Sequence, residues 1–280
     1  MWAESCNETR RLNMNAYYQL IEKSQQADGS VKAIYRSTQY AQGAWNEHEQ
    51  HMAPATGILS HELEQFMPRD DMRIGRISLD IFGLIAFGEF SITTRSIRPG
   101  KTIELLESQM QAQGKTCIVA RAWRMLTQDT SAVAATEDTE ILKPEQLPLW
   151  TGMTRWPGGF INSIYTHADI EQNRAGKGIV WINNDVEMLE GQSTTDFVHI
   201  MGMVDVANGV APRQLGEFEW AFPNLDLQIH MHRLPQGRWL GFDAVQQYGA
   251  DGIGLSSAVL HDKYGAFGRS EQIITLRKMK

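Results

Sequence analysis

The sequence predicts an α+β fold made of two similar sheet-rich halves, each with one helix. The prediction rests on hydrophobic periodicity, which is helical over two short stretches and strand-like elsewhere, with turn residues between the apolar segments. It also rests on a repeat: Arg98 and Arg233 each precede a Gly-containing turn, and Gly114 and Gly249 have the same separation, close to half of the chain. The two predicted helix starts, near Gly57 and Gly191, keep that spacing to within one residue and indicate a duplicated unit.

In the first half, we predict a helix over residues 13–26, one or two strands over 31–45, and a helix over 58–66 with Thr56 as its N-cap. The period then changes to that of strands, which are predicted at residues 74–82, 85–97, 102–111 and 115–126. Turns are expected at residues 98–101 and at Gln113-Gly114.

Residues 127–157 are rich in small residues and proline, and they are predicted to connect the two halves. A strand follows near residues 178–183, and the polar cluster at 191–196 is predicted to cap a helix over 197–207. Residues 216–278 again show short apolar segments between turns, the pattern of an antiparallel meander.

Composition excludes several classes of protein. The net charge of −7 over 280 residues argues against a nucleic-acid partner, which requires a basic face. Two cysteines, Cys6 and Cys117, make no disulfide framework and favour a reducing compartment. The N-terminus lacks a signal-peptide core, and the apolar run at 77–92 is too short for a membrane span. We therefore expect a soluble, cytoplasmic protein.

Three stretches resemble one family. The first runs from Arg76 to Ile81 and on through Arg95-Ser96-Ile97-Arg98-Pro99-Gly100-Lys101. The second contains Leu225-Asp226-Leu227 and His230-Met231-His232-Arg233, followed by Arg238-Trp239-Leu240. The third joins Leu260-His261-Asp262-Lys263-Tyr264-Gly265 to Ser270-Glu271-Gln272. They are similar to motifs of the acyl-CoA thioesterase II family and its thioesterase-like relatives. The resemblance implies a double hotdog, with two antiparallel sheets that each wrap a long central helix.

The resemblance further implies an N-terminal hotdog at residues 1–140 and a C-terminal hotdog at 141–280. It implies an acyl-CoA substrate, hydrolysis of its thioester by water, a homo-oligomer formed through exposed sheet surface, and no metal or cofactor.

The catalytic set of the family is an Asp, a Thr or Ser, and a Gln in the second hotdog. Carried onto this sequence, the resemblance gives Asp226 as the base or water-orienting group and Gln272 as its partner. The hydroxyl position falls near Gln247, with Tyr248 beside it, so an amide would hold the water in a modified way.

Three residues, Asp205, Arg233 and Tyr248, are candidates for substrate contact. Asp205 lies within an otherwise apolar helical stretch, so its carboxylate is either exposed on the polar face or directed toward the ligand. Arg233 is a candidate for the CoA phosphates.

Other functions stay open at this point. The missing hydroxyl near Gln247 favours a non-catalytic acyl-CoA or acyl-lipid binding protein, while a hydratase or dehydratase on the same fold would need a pair such as His199 with Asp205. The spacing of His230 and His232 permits a metal pair, but no other residues complete such a site. The sequence contains no Gly-x-Ser-x-Gly motif, which argues against a serine hydrolase.

Overall fold

The fold was analysed in a computed structural model that describes residues 15–44, 46–214, 216 and 219–279. Cys6, the start of the predicted 13–26 helix and Trp45, the end of the predicted 31–45 region, lie outside these residues. None of the helices in the described part of the chain is both long and apolar enough to cross a membrane.

Strands make up most of the molecule. In chain order they are β1 (Ala16–Gln25), β2 (Val31–Ser37), β3 (Met72–Ile81), β4 (Glu89–Arg98), β5 (Ile103–Ala112), β6 (Lys115–Leu126), β7 (Ile164–Ala168), β8 (Lys177–Asn184), β9 (Glu187–Leu189), β10 (Trp220–Ala221), β11 (Asp226–Met231), β12 (Leu240–Tyr248), β13 (Ile253–Asp262), β14 (Gly265–Thr275) and β15 (Arg277–Lys278). The α-helices are α1 (Met52–Gln65), α2 (Gly159–Ser163), α3 (Asp196–Met201) and α4 (Ala207–Val210), and single 3-10 turns occur at Gln39–Ala41, Ser131–Val133, Pro144–Gln146, Gly152–Arg155 and Val204–Val206.

Thirteen strands form one continuous sheet, in the order β7-β8-β12-β13-β14-β11-β3-β6-β5-β4-β2-β1-β9. This corrects the expectation of two separate sheets. The strands of the two halves meet where β11 pairs antiparallel with β3, with Leu227 opposite Leu79 and Asp226 opposite Asp80. Without this pairing both strands would be edges with unpaired backbone groups, so joining the sheets satisfies those groups. The small sheet β10-β15 lies apart from the large one.

The first helix is longer than predicted. It begins six residues before the predicted start, and its N-cap is His51, whose ring nitrogen Nδ1 accepts a hydrogen bond from the Ala53 amide. Thr56, the predicted N-cap, lies inside the helix and donates from its hydroxyl to the Met52 carbonyl. α1 is buried along most of its length, and its apolar residues belong to the hydrophobic core.

The second long helix predicted over residues 197–207 is divided into α3, a 3-10 turn and α4. Thr195 caps α3 as the polar cluster predicts, but the helix ends at Gly202. Gly202 also touches α1, because a Cβ on Gly57 would lie 2.8 Å from its Cα. The expected pair of long central helices is therefore wrong for the second half.

Residues 16–25 form strand β1 and not the predicted helix. Ala16, Tyr17 and Tyr18 are consecutive buried residues, since β1 is hydrogen-bonded on both sides, to β2 and to β9. Tertiary pairing here overrides the local helical spacing.

Several local predictions are confirmed. Strand β6 has the predicted bounds, β8 covers residues 178–183, and the predicted Gln113-Gly114 turn has positive φ values of 50° and 75°. Two positive φ values suit the tight hairpin between β5 and β6.

The connecting segment packs tightly against the first half. A Cβ on Gly159 would lie 1.7 Å from the Gln39 carbonyl oxygen, so only glycine allows the two backbones to approach this closely. This contact places the segment that precedes β7 against the loop before α1.

Candidate active site

The main cavity has a volume of about 410 Å³ and is bounded by segments from both halves of the chain. The lining comes from the loop before α1, the β3–β4 loop, the connecting segment, the end of the second helix region and the segment before β11. Its walls are largely apolar, with Met153, Trp156, Ile161, Val206 and Phe222 among the lining residues. Such a cavity suits an apolar ligand group.

Asp205 and Glu49 are the carboxylate residues among the described residues that line this cavity, and the environment of Asp205 is the one that the structure details. Asp205 lies in the 3-10 turn Val204–Val206 and is only 5% exposed. Burial raises its pKa from the ordinary 3.8 to about 6, and hydrogen bonds from Asn224 and Gln272 limit the rise. A carboxylate with a pKa near 6 is a strong enough base to accept a proton at neutral pH while still being mostly ionised.

Two amides hold the Asp205 carboxylate in place. Asn224 Nδ2 donates to Asp205 Oδ1 at 2.8 Å, and Gln272 Nε2 donates to the same oxygen at 3.1 Å and to the Asp205 carbonyl at 3.0 Å. The other carboxylate oxygen, Oδ2, has no hydrogen-bond partner among the residues that the structure describes. Asp205 is therefore fixed through one oxygen, which leaves the second for a ligand or a water.

Asn224 reaches both the carboxylate and the cavity. Its Nδ2 also donates to the Asp226 carbonyl at 3.1 Å, while its Oδ1 has no partner in the described part of the chain. Since Asn224 lines the cavity, this oxygen is an acceptor beside the Asp205 carboxylate.

Gln272 lies behind the carboxylate, on the inner face of β14 and fully buried. Its strand neighbour on β13 is Ser256, which in turn pairs with Gln246 on β12. Gln246 donates to the Asn208 carbonyl, so this polar row ties the sheet to the second helix region at two points. Gln272 thus positions Asp205 without lining the cavity itself.

Asp226 does not join this group. Residues alternate between the two faces along a strand, and Leu227, Ile229 and Met231 of β11 face the core. Asp226 lies on the opposite face, where its Oδ1 accepts a hydrogen bond from the Ile273 amide at 2.7 Å. The structure brings Gln272 together with Asp205 and not with the Asp226 side chain.

Gln247, Tyr248 and Arg233, the other residues expected from the resemblance, are not among the residues that line the cavity. Gln247 is exposed on β12, and Tyr248 ends that strand opposite Gly254. Arg233 binds the fully buried Asp262 through both guanidinium nitrogens, so its charge is already paired.

Of the histidines named from the sequence, His230 and His232 are exposed, and His199 is buried. His199 Nε2 contacts Asn183 Oδ1 at 3.0 Å and the Arg238 carbonyl at 3.1 Å, and burial lowers its pKa to about 3. Among the described residues, no three His, Cys, Asp or Glu side chains are arranged to hold a metal ion.

Sequence reasoning missed two residues of this site, Asn224 and His51. Asn224 immediately precedes a motif that was used, but its amide gives no signal until the fold places it beside Asp205. His51 was visible only as the end of His48-Glu49-Gln50-His51, a pattern without zinc spacing. Asp205 was a candidate for substrate contact from the sequence, because it is a single acid among apolar residues, and the structure places it at the cavity.

A helix packed against a large, mainly antiparallel sheet is typical of the hotdog fold, and the buried Asp205 carboxylate lies at a largely apolar cavity. The chain belongs to the acyl-CoA thioesterase family: residues 41–125 match the acyl-CoA thioesterase N-terminal domain and residues 144–276 match the acyl-CoA thioesterase C-terminal domain. No curated protein matches the sequence significantly.

Solved structures of similar fold include three at low sequence identity. An acyl-CoA thioesterase II, TesB2, from Mycobacterium marinum is 14% identical with a TM-score of 0.64, over 92% of this chain and 96% of that one. A tesB protein from Mycobacterium avium subsp. paratuberculosis is 10% identical with a TM-score of 0.65, over 92% and 96%. A hot dog fold protein of unknown function from Alicyclobacillus acidocaldarius is 8% identical with a TM-score of 0.71, over 92% and 97%. These likenesses support the hotdog fold.

Proposed function

We propose that this protein hydrolyses acyl-CoA thioesters, with Asp205 as the general base. The observation that carries the proposal is a buried carboxylate, held by two amides through one oxygen, at an apolar cavity of about 410 Å³. Membership in the acyl-CoA thioesterase family supports the choice of substrate. The base assigned here is Asp205 in place of Asp226, because Asp226 lies on the opposite face of the sheet.

In the proposed reaction a water donates one hydrogen to Asp205 Oδ2 and the other to Asn224 Oδ1. Its oxygen attacks the thioester carbonyl carbon as Asp205 takes the proton, which gives a tetrahedral oxyanion. Collapse of the oxyanion breaks the carbon–sulfur bond, and protonated Asp205 returns the proton to the leaving thiolate. The products are the free acid and CoA, and Asp205 is regenerated.

Each amide has a separate role in this proposal. Asn224 takes the place that a hydroxyl has in the family pattern, since it lines the cavity and has an acceptor for the water. Gln272 is a positioning residue, which holds the carboxylate through Oδ1 and the Asp205 carbonyl.

The apolar wall would take the acyl group, and the CoA phosphates would lie outside the cavity near Arg277. Arg277 is on the exposed strand β15 and is the only Arg or Lys among the described residues that line the cavity. It replaces Arg233 as the candidate cation, because Arg233 is bound to Asp262.

The test is release of free CoA thiol from short, medium, long and aromatic acyl-CoAs, measured with the wild-type protein, Asp205→Asn and Asp226→Asn. Loss of the base should lower kcat by about 10²- to 10⁴-fold in Asp205→Asn. Asp226→Asn is the matched control, since it removes a carboxylate from the outer face and keeps an acceptor for the Ile273 amide. We expect it to keep near wild-type turnover.

No turnover by the wild-type protein on any acyl-CoA would overturn the proposal and favour a binding protein. Loss of activity in Asp226→Asn with full activity in Asp205→Asn would instead reverse the assignment of the base.

A further inference from the structure

The His51 ring lies at the start of α1, where it caps the helix and also lines the cavity. Its Nδ1 accepts from the Ala53 amide at 3.0 Å and so caps the helix. The ring lies 4.3 Å from the Phe160 ring, between centroids, and the backbone amide of His51 donates to the Ala41 carbonyl. These contacts hold the imidazole in one orientation.

The cap contact decides which nitrogen carries the proton. A nitrogen that accepts a hydrogen bond has no hydrogen of its own, so neutral His51 must carry its proton on Nε2. Burial lowers the pKa of His51 to about 3, so the ring stays neutral at physiological pH. Nε2 is thus a fixed N–H donor, and it has no acceptor among the described residues.

His51 lines the same cavity as Asp205 and comes from a different segment, the start of α1 in the first half of the chain. The proposed hydrolysis has a base and a water-binding acceptor on the Asp205 side, but it also requires a donor where negative charge develops on the carbonyl oxygen. Asn224 Nδ2 and Gln272 Nε2 cannot supply this donor, because they are already bonded to Asp205 and to backbone carbonyls.

We propose that the Nε2–H of neutral His51 donates a hydrogen bond to the thioester carbonyl oxygen and stabilises the oxyanion that forms when water attacks. This inference rests on the proposed hydrolysis and adds an electrophilic residue to it. The hydrogen stays on Nε2 throughout: the carbonyl carbon–oxygen electron pair moves onto oxygen at attack and returns when the carbon–sulfur bond breaks. The water proton passes through Asp205 alone.

Two substitutions by amide residues separate the helix cap made by Nδ1 from the hydrogen-bond donor at Nε2. In His51→Asn, the side-chain oxygen occupies the place of Nδ1 and can still accept from the Ala53 amide, but the donor at Nε2 is lost. In His51→Gln, the longer side chain places an amide N–H near the position of Nε2, but the short-range cap is lost.

The experiment measures kcat, KM and Tm for both variants beside the wild-type protein and Asp205→Asn, with whichever acyl-CoA the wild-type protein turns over fastest. Removal of one oxyanion donor is expected to lower kcat about 10²- to 10³-fold in His51→Asn, with little change in Tm. His51→Gln is expected to retain kcat within about tenfold of wild type and to lose several degrees of Tm.

A His51→Asn variant that folds and keeps wild-type kcat would overturn the inference, and so would a His51→Gln variant that is as inactive as His51→Asn while still folded. Either result, obtained with an active wild-type protein and an inactive Asp205→Asn, leaves the proposed hydrolysis intact. An inactive wild-type protein would remove both proposals together.

Discussion

Replacement of Asp205 by Asn should inactivate the protein and at the same time stabilise it at neutral pH. Ionised Asp205 is costly in the folded state because burial raises its pKa from 3.8 to about 6. The difference between the two values corresponds to about 3 kcal/mol of stability that the folded protein loses as the pH rises from about 4 to about 6. An uncharged Asn avoids this cost, and its side-chain oxygen can still accept from Asn224 and Gln272.

The sign of the effect follows from proton binding. Between the two pKa values the folded protein binds more protons at Asp205 than the unfolded chain does, so the wild-type protein loses stability with increasing pH. Asp205→Asn has no such loss, so its advantage should be greatest above pH 7 and should vanish below about pH 4.

Differential scanning calorimetry at pH 8 and pH 4 measures this difference. For a chain of this size, about 3 kcal/mol corresponds to a Tm increase of roughly 5 to 10 °C at pH 8, with no increase at pH 4. A variant that is less stable than wild type at pH 8, or equally shifted at both pH values, would refute the view that Asp205 is a strained, desolvated base.

Three further outcomes are expected. The kcat/KM of the wild-type protein should fall about tenfold per pH unit below the Asp205 pKa of about 6. A pH–rate profile measures this slope, and a flat profile from pH 5 to 7 would contradict the prediction. Arg277→Ala should raise KM for acyl-CoA about two- to fivefold. KM for the N-acetylcysteamine thioester of the same acid, which lacks the phosphates, should not change. An equal rise for both substrates would exclude a contact between Arg277 and the phosphates. Gly159→Ala should destabilise the fold by about 1–3 kcal/mol in chemical denaturation, because the new Cβ meets the Gln39 carbonyl. Gly83→Ala, where a Cβ meets nothing within 4 Å, is its control, and equal losses in the two variants would contradict the packing argument.

The strands were largely predictable because alternation of apolar and polar residues is a local signal. β6 and the Gln113-Gly114 hairpin follow directly from it. β1 was not predictable, since its three consecutive buried residues depend on pairing with β9, which lies far away in sequence. The division into hotdog units at residue 140 stays a prediction.

The site was predictable only in part. Gln272 and Asp205 were each identified separately, but no sequence pattern shows that their side chains touch. Asp226 was favoured by its motif, yet its position in the β11 alternation directs it away from the core. Which face a strand residue occupies depends on register, and β11 gains its register by pairing with β3 and β14.

The two halves use their helix carboxylates differently. In α1 the buried Glu62 accepts hydrogen bonds from Tyr35 and from Lys23, whose ammonium group is 2.9 Å away. Both contacts fall on one oxygen of Glu62, Oε1, and one of them comes from a cation, whereas Asp205 is held only by neutral amides and lies at the cavity.

This difference between the two halves predicts how many acyl groups one chain binds. Although the sheet is built from two sets of similar strands, Asp205 of the second half lies at the cavity, whereas Glu62 of the first half is engaged in an internal ion pair. A chain of 31.6 kDa should therefore bind one acyl group and not two, so titration with a non-hydrolysable thioester analogue should reach saturation at one equivalent per chain.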